Sequence, residues 1–228
     1  GDATSGPTSA IARFVVDVLL PLADAGIDFH SGGNAAKFIT TSFLCTCADT
    51  SIYRKSVDLA DAFQAPYMYV VDGKKSPTGF DPMAHAQNVP FISNELGGGG
   101  IDREAIRVGY RGVRKVLEHF NLIAPSESTD KPEHAVYLDA VNGAGGVLAP
   151  FEGLFEAQFD VGDEIEAGQT AGILYSLDEV DRPPKELLFT DSGIVCVKHV
   201  TARVVHGSHI CRTAKAVNHD KILALADN

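Results

Sequence analysis

The chain has 228 residues, enough for one large domain or two small ones, and its 45% apolar content makes a packed core the expectation. A formal net charge of −11 with scattered Lys and Arg excludes a nucleic-acid backbone or an anionic membrane surface as the main partner. No apolar run approaches the length of a membrane span, and Cys45, Cys47, Cys196 and Cys211 do not make a disulfide framework, so reduced thiols and a cytoplasmic setting are expected.

Residues 8–24 carry Ile11, Phe14, Val15, Val18, Leu19 and Leu22 at helical spacing, which predicts an amphipathic helix behind a Thr8 or Ser9 cap and ended by Pro21. A short buried strand is expected at 26–30, a second at 38–44, a helix at 50–64 and a strand at 67–71. A short helix at 82–87 leads into a strand ending at Glu95. Ile106, Tyr110, Val113, Leu117 and Phe120 then place a helix over 102–121 with Asp102 as its cap. Strands alternating with helices predict an α/β unit over 1–123, a mostly parallel sheet covered by helices. The polar stretch 124–134, with Pro125 and Pro132, reads as a linker. Beyond it the helical period disappears, and short apolar runs separated by Gly and Pro turns predict an all-β unit over 135–228. Within that unit, Gly153-Leu154-Phe155 before a turn at Gly162 and Gly193-Ile194-Val195 before a turn at Gly207 form a duplicated pattern, as in the small flattened barrels of biotinyl and lipoyl carriers.

Two strand ends carry the chemistry. Asp28-Phe29-His30 runs directly into Ser31-Gly32-Gly33, and Phe91-Ile92-Ser93-Asn94-Glu95 runs into Leu96 and the glycines 97–100. An imidazole at the carboxyl edge of a strand is well placed to bind zinc, with glycines leaving room for ion and substrate. The plain alternative is a histidine that merely caps the strand. Glu95 ends an apolar strand, a costly place for a carboxylate unless it is paired or used, and beside a metal it suits a general acid/base. Its plain alternative is a favourable charge at the start of the helix near Asp102. Asp28, two residues before His30, is spaced to orient the imidazole from the same strand face.

Other signals are weaker. Cys45 and Cys47 lack a second cysteine pair and read as buried thiols. His206 and His209 read as flanking a turn, and the remaining histidines show no ligand spacing. The glycine run lacks the lysine of a phosphate loop, and no GxSxG elbow, HxxE or HExxH pair occurs.

The order helix, Asp-Phe-His-Ser-Gly-Gly, strand, helix, Asn-Glu-Leu-Gly-Gly-Gly-Gly, helix, linker and β unit resembles the succinylglutamate desuccinylase/aspartoacylase family of the zinc carboxypeptidase clan. Within it the likeness points to bacterial members that deacetylate N-acetyl-diaminobutyrate. The resemblance implies a Zn2+-dependent hydrolase acting on the amide of an N-acylated amino acid, with His30 as a zinc ligand and Glu95 as the catalytic glutamate. The family's HxxE ligands and substrate-gripping Asn-Arg pair would precede the Asp-Phe-His strand, and residues 1–28 hold neither, so the chain resembles the last two thirds of such an enzyme. Homo-oligomerisation, or association with the N-terminal region, is expected in consequence. The alternative is a non-catalytic binding or assembly protein without a complete metal site. By the carrier likeness a modified lysine would fall near Lys185, but Arg182-Pro183-Pro184-Lys185 lacks the Met-Lys-Met of a carrier and its prolines suggest a plain loop.

Overall fold

A computed structural model describes residues 5–75, 79–126, 135–179 and 181–227 of the chain. Helix α1 (Pro7–Phe14) begins with proline in its first turn behind Gly6, so neither Thr8 nor Ser9 is its cap. The chain then widens into a π-helical turn at Val15–Leu19 and tightens into a 3-10 turn at Leu20–Leu22. Pro21 has no N–H to donate and its ring crowds the preceding turn, which accounts for the departure from one continuous helix over 8–24.

The next elements are β1 (Gly26–His30), β2 (Ala36–Phe38), β3 (Thr41–Cys45), α2 (Thr50–Phe63), β4 (Tyr67–Val71), α3 (Phe80–His85), β5 (Phe91–Glu95) and α4 (Arg103–His119). Both long helices are capped by aspartates. Asp49 accepts from the N–H groups of Ser51 and Ile52, and Asp102 from those of Glu104 and Ala105, at 2.8–3.2 Å. The single strand expected over 38–44 is two. Ile39 donates its N–H to the Cys196 carbonyl where the chain leaves one set of partners for another, so β2 pairs with a late strand while β3 pairs with β4 and β5.

The second segment contributes β6 (Val136–Asp139), β7 (Gly145–Leu148), β8 (Gly153–Ala157), β9 (Glu164–Ile165), β10 (Thr170–Ser176), β11 (Lys185–Leu188), β12 (Gly193–His199), β13 (Arg203–Val204) and β14 (His209–Val217). A short helix α5 (His219–Ala224) follows, capped by Asn218, where only strands were expected. Its Ile222 is buried in the core formed by α2 and α4, a tertiary setting that a helix of this length does not announce by periodicity.

Ten strands form one sheet in the order β1-β5-β3-β4-β6-β14-β12-β2, with β7 on β14 and β9 on β12. The pairs β1/β5, β3/β4 and β4/β6 are parallel, whereas β3/β5 and every pairing beyond β6 are antiparallel. The sheet is therefore mixed rather than mostly parallel, because side-chain alternation reports which face is buried and not which way a strand runs. It also continues from β4 through β6 into the second segment. Residues 127–134 of the expected linker lie outside the described residues.

A second sheet, β11-β10-β8-β13, packs on β7, β9, β12 and β14 around Phe155, Phe159, Leu174, Phe189, Val195 and Ile210. The duplicated pattern corresponds to a reciprocal exchange in which β9 pairs with β12 and β13 with β8. Because β12 and β14 belong to the large sheet, these strands are one end of a continuous structure and do not make the free-standing carrier-like barrel expected. Lys185 opens β11 opposite Leu174 and is not at a turn tip.

The large sheet has two unlike faces. Leu44, Met68, Val70 and Ile92 face α2, α4 and α5, packing with Val57, Phe63, Val108 and Ile222. On the other face Tyr69 and Leu138 meet Ile39, Ile194, Cys196 and Ala214 of the returning chain.

Candidate active site

His30 and Glu95 are register partners on the parallel strands β1 and β5, as are Asp28 and Ser93. Cross-strand partners project to the same face, so the imidazole and the carboxylate stand side by side at adjacent strand tips. Asp28 Oδ2 is 2.7 Å from His30 Nε2, and Asp28 Oδ1 accepts the N–H of Phe29 at 2.8 Å. With Nε2 donating to that carboxylate, the imidazole keeps its Nδ1 lone pair free, which is the form a metal requires.

Glu95 is more enclosed. Its Oε2 is buried and has no hydrogen-bond partner. Burial pushes its carboxyl above the usual range; His30 opposes that rise and Asp28 adds to it, so the three groups sense one another. Asp81 of α3 lies in the same electrostatic neighbourhood. It is buried, accepts from Ser93 Oγ at 2.9 Å through Oδ2, leaves Oδ1 unpartnered, and is raised chiefly by burial.

The glycines hold the two strand tips together. Gly32 donates to the Gly97 carbonyl at 3.0 Å, Gly99 to Gly33 at 2.7 Å, and Leu96 to His30 at 2.8 Å. A Cβ on Gly98 would fall 2.1 Å from the Ala36 carbonyl oxygen, and one on Gly32 would fall 2.0 Å from the same atom. The run thus serves close loop-to-loop contact beside the site.

Glu95 opens into a cavity of about 780 Å3 bounded by large-sheet strands of both segments, lined also by Phe43, Tyr69, Val197, His209 and Arg212. Sequence reading missed Arg212 and assigned His209 to a turn. Both lie on β14, where a register shift between His209 and Cys211 breaks simple alternation, so that Ile210 and Cys211 are both buried while residues 209 and 212 reach the cavity. The available signal was weak: an arginine directly after Ile210 and Cys211 in a strand that also carries His209, Thr213 and Lys215.

The remaining candidates are structural. All four cysteines are free, and burial raises Cys45 and Cys196 to about 12 and Cys211 to about 11. Among the described residues no group of three or more His, Cys, Asp or Glu side chains is arranged to hold a metal ion. One imidazole with a free Nδ1 beside an unpartnered carboxylate fits part of a zinc site; a catalytic zinc takes three protein ligands.

The fold and site define a mixed α/β domain of a recognisable class. The succinylglutamate desuccinylase/aspartoacylase catalytic domain matches residues 2–120, more than half of the chain, and the chain belongs to that family. The N-alpha-acetyl-L-2,4-diaminobutyric acid deacetylase of Halomonas elongata is 28% identical over 219 residues, 95% of this chain and 64% of that protein. A succinylglutamate desuccinylase/aspartoacylase from Rhodobacter sphaeroides superposes with a TM-score of 0.84 at 28% identity, covering 96% of this chain and 66% of the other. A succinylglutamate desuccinylase from a Silicibacter species gives 0.85 at 26% identity, covering 95% and 65%. The chain thus spans just under two thirds of the length of these relatives. No helix among the described residues is long and apolar enough to cross a membrane.

Proposed function

We propose that this chain carries the base and one metal ligand of a zinc-dependent hydrolase that cleaves the amide of an N-acylated amino acid. The observation that carries this reading is the in-register pair His30 and Glu95, with Asp28 bonded to one ring nitrogen and Glu95 Oε2 buried without a partner. Zinc, when bound, polarises the acyl carbonyl and makes water a stronger nucleophile. His30 would hold that ion through Nδ1, its ring oriented by the contact of Nε2 with Asp28. Glu95 takes the proton from the attacking water and returns it to the departing nitrogen, and its enclosed position, which favours the protonated form, suits that return. The cavity beyond Glu95 receives the acyl amino acid between the aromatic floor and the β14 wall.

The other zinc ligands come from polypeptide outside these 228 residues. Supporting this, β1 is an edge strand of the sheet. Phe29 is half exposed on it, and the outer faces of α1 and α4 keep Ile11, Phe14, Ile106 and Tyr110 in solvent. An open edge flanked by apolar side chains is a surface for a further strand and helix. Four free thiols support placement in a reducing, cytoplasmic compartment.

The test is hydrolysis and zinc content of the chain joined to the N-terminal region of a family member. Glu95→Gln should keep zinc and lower the rate of acetate release from N-acetyl-diaminobutyrate about 10²–10⁴-fold, while His30→Ala should lose zinc. A joined protein that binds zinc and works equally well with Gln at 95 would remove the proposed base.

A further inference from the structure

The cavity that Glu95 opens into has one basic side chain with no acidic partner, and Glu95 itself lines the same cavity. Its walls are largely apolar: Phe43 and Tyr69 pack with ring centroids 5.6 Å apart, and Phe38 and Val197 line it with them. Of its two basic side chains, Lys75 is 3.6 Å from Asp72, which also lines the cavity. Arg212 has no ion pair and no side-chain hydrogen bond with any described residue. Its position is fixed by the backbone, since β14 pairs at this point with both β12 and β7, Arg212 standing opposite Val197 and Gly146. Burial and the nearby guanidinium both hold His209 below the ordinary histidine range. A planar fork of N–H donors beside an apolar trough matches a carboxylate better than any neutral group.

We infer that Arg212 anchors a carboxylate of the substrate, making the chain selective for N-acyl amino acids that present an anion to β14 while the scissile amide lies by Glu95. This deepens the deacylase reading and rests on it for the identity of the ligand. The carboxylate is either the α-carboxylate or a second one on the side chain. A substrate with an ammonium at that end would meet an uncompensated positive charge.

The test is calorimetric titration of the 228-residue chain with N-acetyl-L-aspartate, with N-acetyl-L-asparagine, which lacks the side-chain carboxylate, and with the α-amide of N-acetyl-L-aspartate, which lacks the other. The wild-type chain should bind the diacid, Arg212→Met should weaken it at least tenfold, and Arg212→Lys should restore part of the loss. The amide that binds wild type as poorly as the diacid binds Arg212→Met identifies the carboxylate held. Arg212 is solvent-exposed, so both variants should unfold at the wild-type temperature. No binding by wild type, equal affinity in Arg212→Met, or equal binding of all three ligands would overturn the inference. Acetate release by the joined protein separates the two readings. Hydrolysis indifferent to Arg212→Met sinks the anchor and spares the deacylase; Arg212-dependent binding without hydrolysis does the reverse.

Discussion

The two faces of the large sheet are built from the same strands and do opposite work. Along β5, Ile92 points into a helix-covered core where it, Leu44 and Val70 are fully buried. Its neighbours Ser93 and Glu95 point to the other face, where Asp28, His30 and Asp81 gather and two carboxylate oxygens lack partners. On the helix face the buried amide of Asn94 is tied down. Asn94 accepts from Ser42 Oγ at 2.9 Å and reaches toward the Asp28 carbonyl, linking β5 to both its neighbours. The apolar core on the helix side stabilises the fold, and the other side keeps unpaired carboxylate oxygens that cost stability and serve chemistry.

That contrast can be broken by substitution, and the largest effect should come from the helix face. Phe63 is fully buried between α2 and α4 and lies under Gly112, so Phe63→Ala should cost about 3–5 kcal/mol in denaturant unfolding. A loss below about 1 kcal/mol would mean that the helix side is not the stabilising one. On the site face, Asp28→Asn should leave the unfolding midpoint nearly unchanged and weaken zinc binding by the joined protein about 10–100-fold. Undiminished affinity would detach Asp28 from the imidazole. Glu95→Gln should stabilise the chain by up to about 1 kcal/mol, since it replaces a buried carboxylate that has an unpartnered oxygen by a neutral amide. Destabilisation by that change would show that the carboxylate is satisfied. The smallest effect concerns His85, buried in α3 with Nε2 3.2 Å from Ser56 Oγ. Burial lowers its pKa below the ordinary 6.5, so the unfolded chain takes up the proton first. Its contribution is intact above pH 6.5 and fades as pH falls below that value, and His85→Gln should flatten the acid side of a melting-temperature profile.

Much of the first segment was legible because its signals are local. Asp49 and Asp102 cap α2 and α4 near the positions that periodicity gave, and β1 and β4 begin and end at the expected residues. What was illegible depends on partners distant in sequence. The direction of β3 against β5 is set by partners about fifty residues or more apart, and the change of partner at Ile39 and the burial of Ile222 by elements more than a hundred residues away. Likewise His30 and Glu95 announce themselves by ending apolar runs before glycines, whereas Arg212 becomes visible only when a shifted register on β14 turns it toward the cavity that Glu95 opens into.

The most direct measurement is a zinc-edge anomalous map from crystals of the chain joined to a family N-terminal region. One ion should lie about 2.0–2.1 Å from His30 Nδ1, with the Glu95 carboxylate beside it at the distance of a bridging water. An ion bound elsewhere, or one bound here with His30 turned away, would contradict it.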